Sequence, residues 1–135
     1  MSDASQLLET SAGDMTSDER LRASCIQACL ECARTCTECA DRCLSEQLVG
    51  HLVTCIAANI NCADVCATTG RVLIRQTAFE PDVARTLLDA CAQACKTCGD
   101  ECARHAEMHR HCEIAAAACR ACEHACRELR RAIGS

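Results

Sequence analysis

The chain has 135 residues, of which 17 are cysteine, and a formal net charge of −5. That length suits one small domain, and an acidic balance without any Lys/Arg run argues against a phosphate-binding surface. Phe79 is the only aromatic residue, so stacking on nucleic-acid bases is excluded and something other than large rings must fill the interior.

The first seventeen residues are polar and aperiodic, which predicts a tail over 1–17 with room for one helical turn around Gln6 to Glu9. This stretch has no basic start, no apolar run and no twin arginine, so neither a signal peptide nor a membrane span is visible in it and a cytoplasmic protein is expected. Cytosolic thiols stay reduced, and an odd cysteine count would leave one sulfur unpaired even under oxidation. Disulfides are therefore not the expected use of the sulfur.

From the tail onward the chain reads as one domain, 18–135, built of helices. Thr16, Ser17, Asp18 and Glu19 form a capping-box pattern, and no Pro or Gly follows before Gly50, which predicts a first helix over about 18–46. A second is expected over about 50–76, with Gly70 a weak point. Pro81 suits the first turn of a third, over about 81–109, and a tight turn at 109–111 leads to a fourth over about 112–132.

Cysteine spacing fixes the arrangement. Steps of three and four keep side chains on one stripe of a helix, because a turn takes about 3.6 residues. The first helix carries Cys25, Cys29, Cys32, Cys36, Cys39 and Cys43. The second carries Leu48, Leu52, Cys55, Asn59, Cys62, Cys66, Thr69 and Leu73, and the third Ala84, Leu88, Cys91, Cys95, Cys98, Cys102, His105 and His109. The fourth carries Cys112, Ala115, Cys119, Cys122, Cys126, Leu129 and Ile133. Charged residues such as Glu31, Arg34, Glu38, Lys96, Asp100 and Arg104 fall off these stripes and form solvated faces. The expected fold is all-α: an antiparallel up-down-up-down four-helix bundle whose core is lined with cysteine.

A core that needed only apolar volume would use Leu, Ile or Ala, which bury more surface or form better helix. Pairs such as Cys29/Cys32, Cys36/Cys39, Cys95/Cys98 and Cys119/Cys122 match the C-x-x-C element of zinc sites. The residues between them contain no Gly to bend the backbone around a metal, however, and they read as helix. Iron–sulfur spacing is absent, as is the βαβ context of a thioredoxin-like pair.

Charge separates the remaining metals. A zinc ion with four thiolates leaves a local charge of −2, and repeating that down a closed core would be costly. One Cu(I) in place of each thiol proton leaves the core neutral, and Cu(I) is soft, thiophilic and content with two or three ligands. The stripe on the first helix spans about 27 Å, enough for a column of ions. A zinc-binding structural or regulatory module and a thiol redox buffer stand as the alternatives.

The repeated C-x3-C-x2-C steps at 25/29/32 and 91/95/98, with the mirrored C-x2-C-x3-C at 119/122/126, resemble the bacterial copper storage proteins, and in particular their cytosolic branch. The resemblance implies a four-helix bundle that loads several Cu(I) ions onto core cysteines, stores and detoxifies copper without catalytic turnover, and associates as a tetramer. It implies a ligand role for all 17 cysteines. Copper chaperones or low-molecular-weight thiols are the partners it suggests, with neither nucleic acid nor membrane among them.

The two bundle ends differ. The turns between the first and second helices and between the third and fourth share an end that collects Cys43, His51, Cys55, His105, His109, His111 and Cys112, with Met108 off the stripe. Leu21, Leu73, Leu88, Leu129 and Ile133 plug the other. Copper is expected to enter at the histidine end, with His105 and His109 continuing the third stripe as ligands that pass ions inward. His51 and His111 lie too near turns for their rotation to be read, and His124 falls on an outer face. Asn59 stands one step in from Cys55 where another cysteine would fit.

Overall fold

The computed structural model describes residues 15–134. Four helices follow one another: α1 (Ser17–Leu44), α2 (Val53–Ile74), α3 (Pro81–Ala103) and α4 (Arg110–Ile133). A single 3-10 turn, Val49–Leu52, leads into α2. There is no strand among the described residues. The polar tail expected over 1–17 lies outside the described residues as far as residue 14.

Local chemistry sets the helix starts. The Thr16 hydroxyl accepts from the Glu19 amide at 3.1 Å while the Glu19 carboxylate accepts from the Thr16 amide at 3.3 Å, a reciprocal cap that satisfies two donors the helix cannot use. Pro81 occupies the first turn of α3, where its missing N–H costs nothing. Gly70, expected as a weak point, lies inside an unbroken α2. A Cβ there would stand 3.0 Å from Leu30 Cδ2, and one at Gly99 would stand 2.9 Å from Arg120 Nη1 and 3.2 Å from Cys119 Cβ. These glycines let α2 close on α1 and α3 close on α4.

Short connections make successive helices antiparallel, and each helix packs against two neighbours: α1 and α3 both lie against α2 and α4. The resulting up-down-up-down bundle buries the cysteine stripes of all four helices at its axis. Leu73, Leu88 and Leu129 close the end beside the Arg75–Glu80 loop, joined by Ile26, which the stripe reading omits. Leu21, Phe79 and Ile133 pack partly buried around them.

The helix ends at the opposite mouth depart from the sequence reading. Helix α3 stops at Ala103 instead of 109, and the ladder gives way to tight turns in which Arg104 N bonds Glu101 O at 3.1 Å and His105 N bonds Cys102 O at 3.0 Å. His109 is extended, with φ −136° and ψ 114°, and precedes the first turn of α4. The reversal therefore occupies 104–109. With no Gly or Pro between Gly99 and the end of that turn, nothing in the sequence marks it. Leu48 likewise falls in the α1–α2 connection and is 68% exposed, so the α2 stripe begins at Leu52.

The segment Val49–Ile74 is long and apolar enough to cross a membrane by length and composition. In the bundle its inner stripe is Cys55, Asn59, Cys62, Cys66 and Thr69, all buried against the other helices. Its outer side exposes Val53, Ile60 and Ile74.

Candidate metal centre

All 17 cysteines are free and buried. The amphipathic period of each helix turns them to the axis, and the close helix seams bring sulfurs from different helices together. Cys36 and Cys119 approach to 3.6 Å, as do Cys66 and Cys95, and Cys66 and Cys91. Cys55 and Cys102 stand 3.8 Å apart, and Cys25 and Cys126 also 3.8 Å. At a thiolate–metal bond of about 2.3 Å, two ligands of one three-coordinate ion stand about 4 Å apart. The metal-free bundle already holds its sulfurs at that separation.

The sulfurs form overlapping groups. Cys29, Cys91, Cys122 and Cys126 make one; Cys32, Cys66, Cys95 and Cys122 a second; Cys32, Cys36, Cys62 and Cys119 a third, each with its ligand atoms within 4.8 Å of one another. Cys39, Cys55 and Cys102 form a group toward the mouth, and Cys39, Cys43, Cys112 and His111 another. Cys122, Cys32 and Cys39 each belong to two groups. Sharing of this kind fits ions bridged through common thiolates along an axis, and does not fit separate four-cysteine zinc knuckles.

Two buried polar residues interrupt the sulfur wall, and both are satisfied. The Thr69 hydroxyl donates to Val65 O at 2.8 Å, within its own helix. Asn59 Nδ2 donates to Cys55 O at 2.8 Å and points at the sulfurs of Cys55 and Cys102, each at 3.4 Å. Its Oδ1 accepts from Cys98 Sγ at 3.4 Å. The amide thus offers a donor and an acceptor to three sulfurs at once, and a donor of this kind favours a thiolate.

Burial and mutual proximity keep most of the thiols protonated. Cys112 is pushed up to about 11, first by burial and then by the neighbouring Cys43 sulfur. Hydrogen bonding with Cys32 and Cys36 that favours the protonated Cys119 thiol holds it far above the usual range, and contacts with Cys122 and Cys32 do the same for Cys66. Cys25, Cys32, Cys62, Cys91 and Cys102 go the other way, Cys25 being lowered to about 5 chiefly by its hydrogen bond with Cys126.

At the mouth the structure redistributes the histidines. His105 turns Nε2 to Glu101 Oε2 at 3.0 Å, and His109 turns Nδ1 to Glu46 Oε2 at 3.0 Å. Neither continues the α3 stripe, because α3 has ended before them. His111, whose rotation the sequence left open, is the histidine that reaches the sulfur: its Nδ1 lies 3.4 Å from Cys39 Sγ, 3.6 Å from Cys112 Sγ and 4.0 Å from Cys43 Sγ. Its Nε2 donates to Glu46 Oε2 at 2.8 Å. The His109 and His111 rings are 5.3 Å apart, clasped by one carboxylate. That clasp draws the Glu46 carboxyl below its ordinary range, the His111 hydrogen bond contributing most.

His51, His105, Met108 and His109 line a surface hollow of about 330 Å³ beside Glu46. His124 is exposed on the outer side of α4. Sequence reasoning missed Glu46 and Glu101. The i to i+4 spacing of Glu101 and His105 was available as a signal, whereas Glu46 and His111 are 65 positions apart and no local pattern joins them.

Comparison with known proteins agrees with this architecture. A curated relative from Bacillus subtilis (strain 168), the uncharacterized cysteine-rich protein YhjQ, is 34% identical over 111 residues, covering 82% of this chain and 97% of its own length. The copper storage protein Ccsp from Streptomyces lividans, solved loaded with 10 copper equivalents, superposes with a TM-score of 0.88 at 50% identity, covering 95% of this chain and 98% of that one. The Cu(I)-bound copper storage protein BsCsp3 superposes with a TM-score of 0.72 at 35% identity, over 81% of this chain and 97% of its own. The family model for copper storage proteins matches residues 18–131, and the chain belongs to that family.

Proposed function

We propose that this chain is a cytosolic reservoir that stores and detoxifies Cu(I), with no catalytic turnover. The observation that carries the reading is the overlap of cysteine groups along the bundle axis, three joined through Cys122 and Cys32 and two at the mouth joined through Cys39. Cu(I) is the cargo. Each ion replaces one thiol proton, so a filled core stays near neutrality, which a column of tetrathiolate zinc ions would not.

All 17 cysteines serve as ligands in this reading, from Cys25 at the plugged end to Cys43 and Cys112 at the mouth. His111 completes the outermost group through Nδ1. His105 and His109 act earlier, as entry ligands in the hollow they share with His51 and Met108. The filled plug of Leu73, Leu88 and Leu129 supports traffic through the mouth alone.

Self-association belongs to the same proposal, as a tetramer. Its support is the exposed outer side of α2, where Val53 is 62% and Ile60 48% exposed, the sort of apolar surface that association covers. Light scattering should return four times the chain mass; a monomeric mass at micromolar concentration would refute the tetramer and leave the copper chemistry untouched.

The cellular test is expression in a bacterium lacking copper export. Wild-type protein should raise the copper concentration the cells tolerate and should purify with copper bound. A variant with Cys32, Cys62, Cys95 and Cys122 changed to Ser should do neither to the same extent. Equal tolerance with both proteins, or wild-type protein recovered free of copper, would contradict a storage role.

A further inference from the structure

Between α1 and α4, level with the outermost sulfurs, the surface sinks into a groove of about 230 Å³ lined by Glu38, Cys39, Arg42, Arg110, His111 and Ile114 among others. It shares no lining residue with the histidine hollow on the other side of the mouth. The outer Cys39/His111 site thus has an approach of its own, distinct from the one that His105 and His109 flank.

The groove is cationic in a protein that is acidic as a whole. Arg42 makes no ion pair among the described residues, so its guanidinium is free for a ligand. Arg110 pairs with Glu113 on the exposed side of α4. Glu38, the one carboxylate in the lining, is occupied by Arg34 at 3.2 Å. The first turn of α4 begins at Arg110 without a side-chain cap on its N-terminus, which adds to the positive potential. Overall charge of −5 repels anions from the molecule generally, so two guanidinium groups beside the outermost sulfur site are a local exception.

We propose that this groove docks a small anionic thiol that delivers or withdraws Cu(I), its carboxylates held by Arg42 and Arg110 while its sulfur meets the ion at Cys39 and His111. The proposal rests on the copper-storage reading. Guanidinium groups match carboxylates in a planar, paired geometry. The volume lies below the roughly 300–1,000 Å³ of drug-sized pockets, which suits a compact carrier.

Withdrawal is a ligand exchange with no change of oxidation state. The incoming thiol gives up its proton as its sulfur bonds to Cu(I), the bond from Cu(I) to Cys39 Sγ breaks, and the released Cys39 thiolate takes up a proton. Delivery is the reverse. Docking the carrier raises its local concentration at the ion, so charge on the carrier sets the rate and leaves the equilibrium to the sulfur chemistry.

The experiment uses full-length protein loaded with Cu(I), its copper content measured first. Copper withdrawal is then followed with mercaptosuccinate, a dianion, and with neutral thioglycerol, at equal thiolate concentration. Wild-type protein should release copper to mercaptosuccinate about tenfold faster, and added salt at about 0.5 M should abolish that advantage. Arg42→Gln with Arg110→Gln should slow mercaptosuccinate about tenfold and alter thioglycerol less than twofold. Arg71→Gln with Arg75→Gln, an equal charge change near the plugged end, should alter neither. The groove proposal is overturned if wild-type protein shows no preference for the dianion, if both thiols slow alike in the groove variant, or if the Arg71→Gln, Arg75→Gln control has the same effect. Protein that takes up no Cu(I) at the outset would instead overturn the storage reading on which the groove depends.

Discussion

Glu46 Oε2 accepts a hydrogen bond from His111 Nε2 at 2.8 Å, and this bond settles which nitrogen of the ring faces the sulfur. With the proton on Nε2, the Nδ1 lone pair points at Cys39 and Cys112. A carboxylate behind a ligating imidazole fixes its orientation and raises its basicity, an arrangement whose loss typically weakens metal binding about 10- to 100-fold. His111→Ala should therefore remove the most weakly held ion and slow loading, and Glu46→Gln should weaken that same ion about tenfold while total capacity holds. Chelator competition resolved ion by ion measures both; identical last-ion affinity in Glu46→Gln and wild type would show that the clasp is incidental.

Asn59 occupies a core position whose neighbours are sulfur. Asn59→Cys restores a thiol at the level of Cys55, Cys98 and Cys102, and the expected result is a gain in copper capacity at saturation. Asn59→Leu should lose metal-free stability, by about 1–3 kcal/mol, because it strips hydrogen bonds from buried partners. Copper counting by mass spectrometry and urea denaturation check the two variants. An unchanged ion count in Asn59→Cys would mean that the amide site lies off the copper path.

Ala78 has φ 55°, the only positive φ at a non-glycine residue in the described chain. The left-handed region costs an L-residue roughly 1–2 kcal/mol. Ala78→Gly should raise stability by about 0.5–1 kcal/mol, the relief of strain being partly offset by the extra freedom of glycine when unfolded. Thermal denaturation of the metal-free protein reads this directly, and a lower melting temperature would show that the loop is unstrained.

Thiol protonation predicts a pH dependence. Cys112 titrates near 11 in the folded chain against 9.0 for an ordinary thiol. A pKa raised by folding contributes stability below about pH 9 that is lost as pH rises toward 11. Cys119 and Cys66 shift in the same direction, while Cys25, Cys32, Cys62, Cys91 and Cys102 are lowered and act in the opposite sense only below about pH 9. The metal-free melting temperature should fall between pH 9 and 11. Copper-loaded protein, whose sulfurs carry no protons, should show a flatter profile, and parallel curves for the two forms would contradict the assignment of the thiols as ligands.

Much of this was legible in the sequence because helical periodicity and burial coincide. Cysteines three and four apart fall on one side of a helix, and an aromatic-poor chain has little else to bury, so Cys25 to Cys43 already describe one wall of the core. The mouth was harder to read. His105 and His109 keep the helical step from Cys102, yet the helix stops at Ala103 because the chain must reverse there to bring α4 back along α1. The clue to that reversal is tertiary, since no Gly or Pro marks it. Glu46 was invisible for a related reason: a carboxylate in a connection meets His111 only after two helices have returned to the same end. Gly70 shows the converse, since what reads as a weak point in the helix is a close contact between helices.

The central claim is that the sulfur column takes up Cu(I) as many coupled ions. Anaerobic titration of the reduced, metal-free protein with Cu(I) against a competing high-affinity chelator tests it most directly. Uptake of more than about ten ions per chain ahead of the chelator, with helical content unchanged, is the predicted result. Saturation after three or four ions would contradict it.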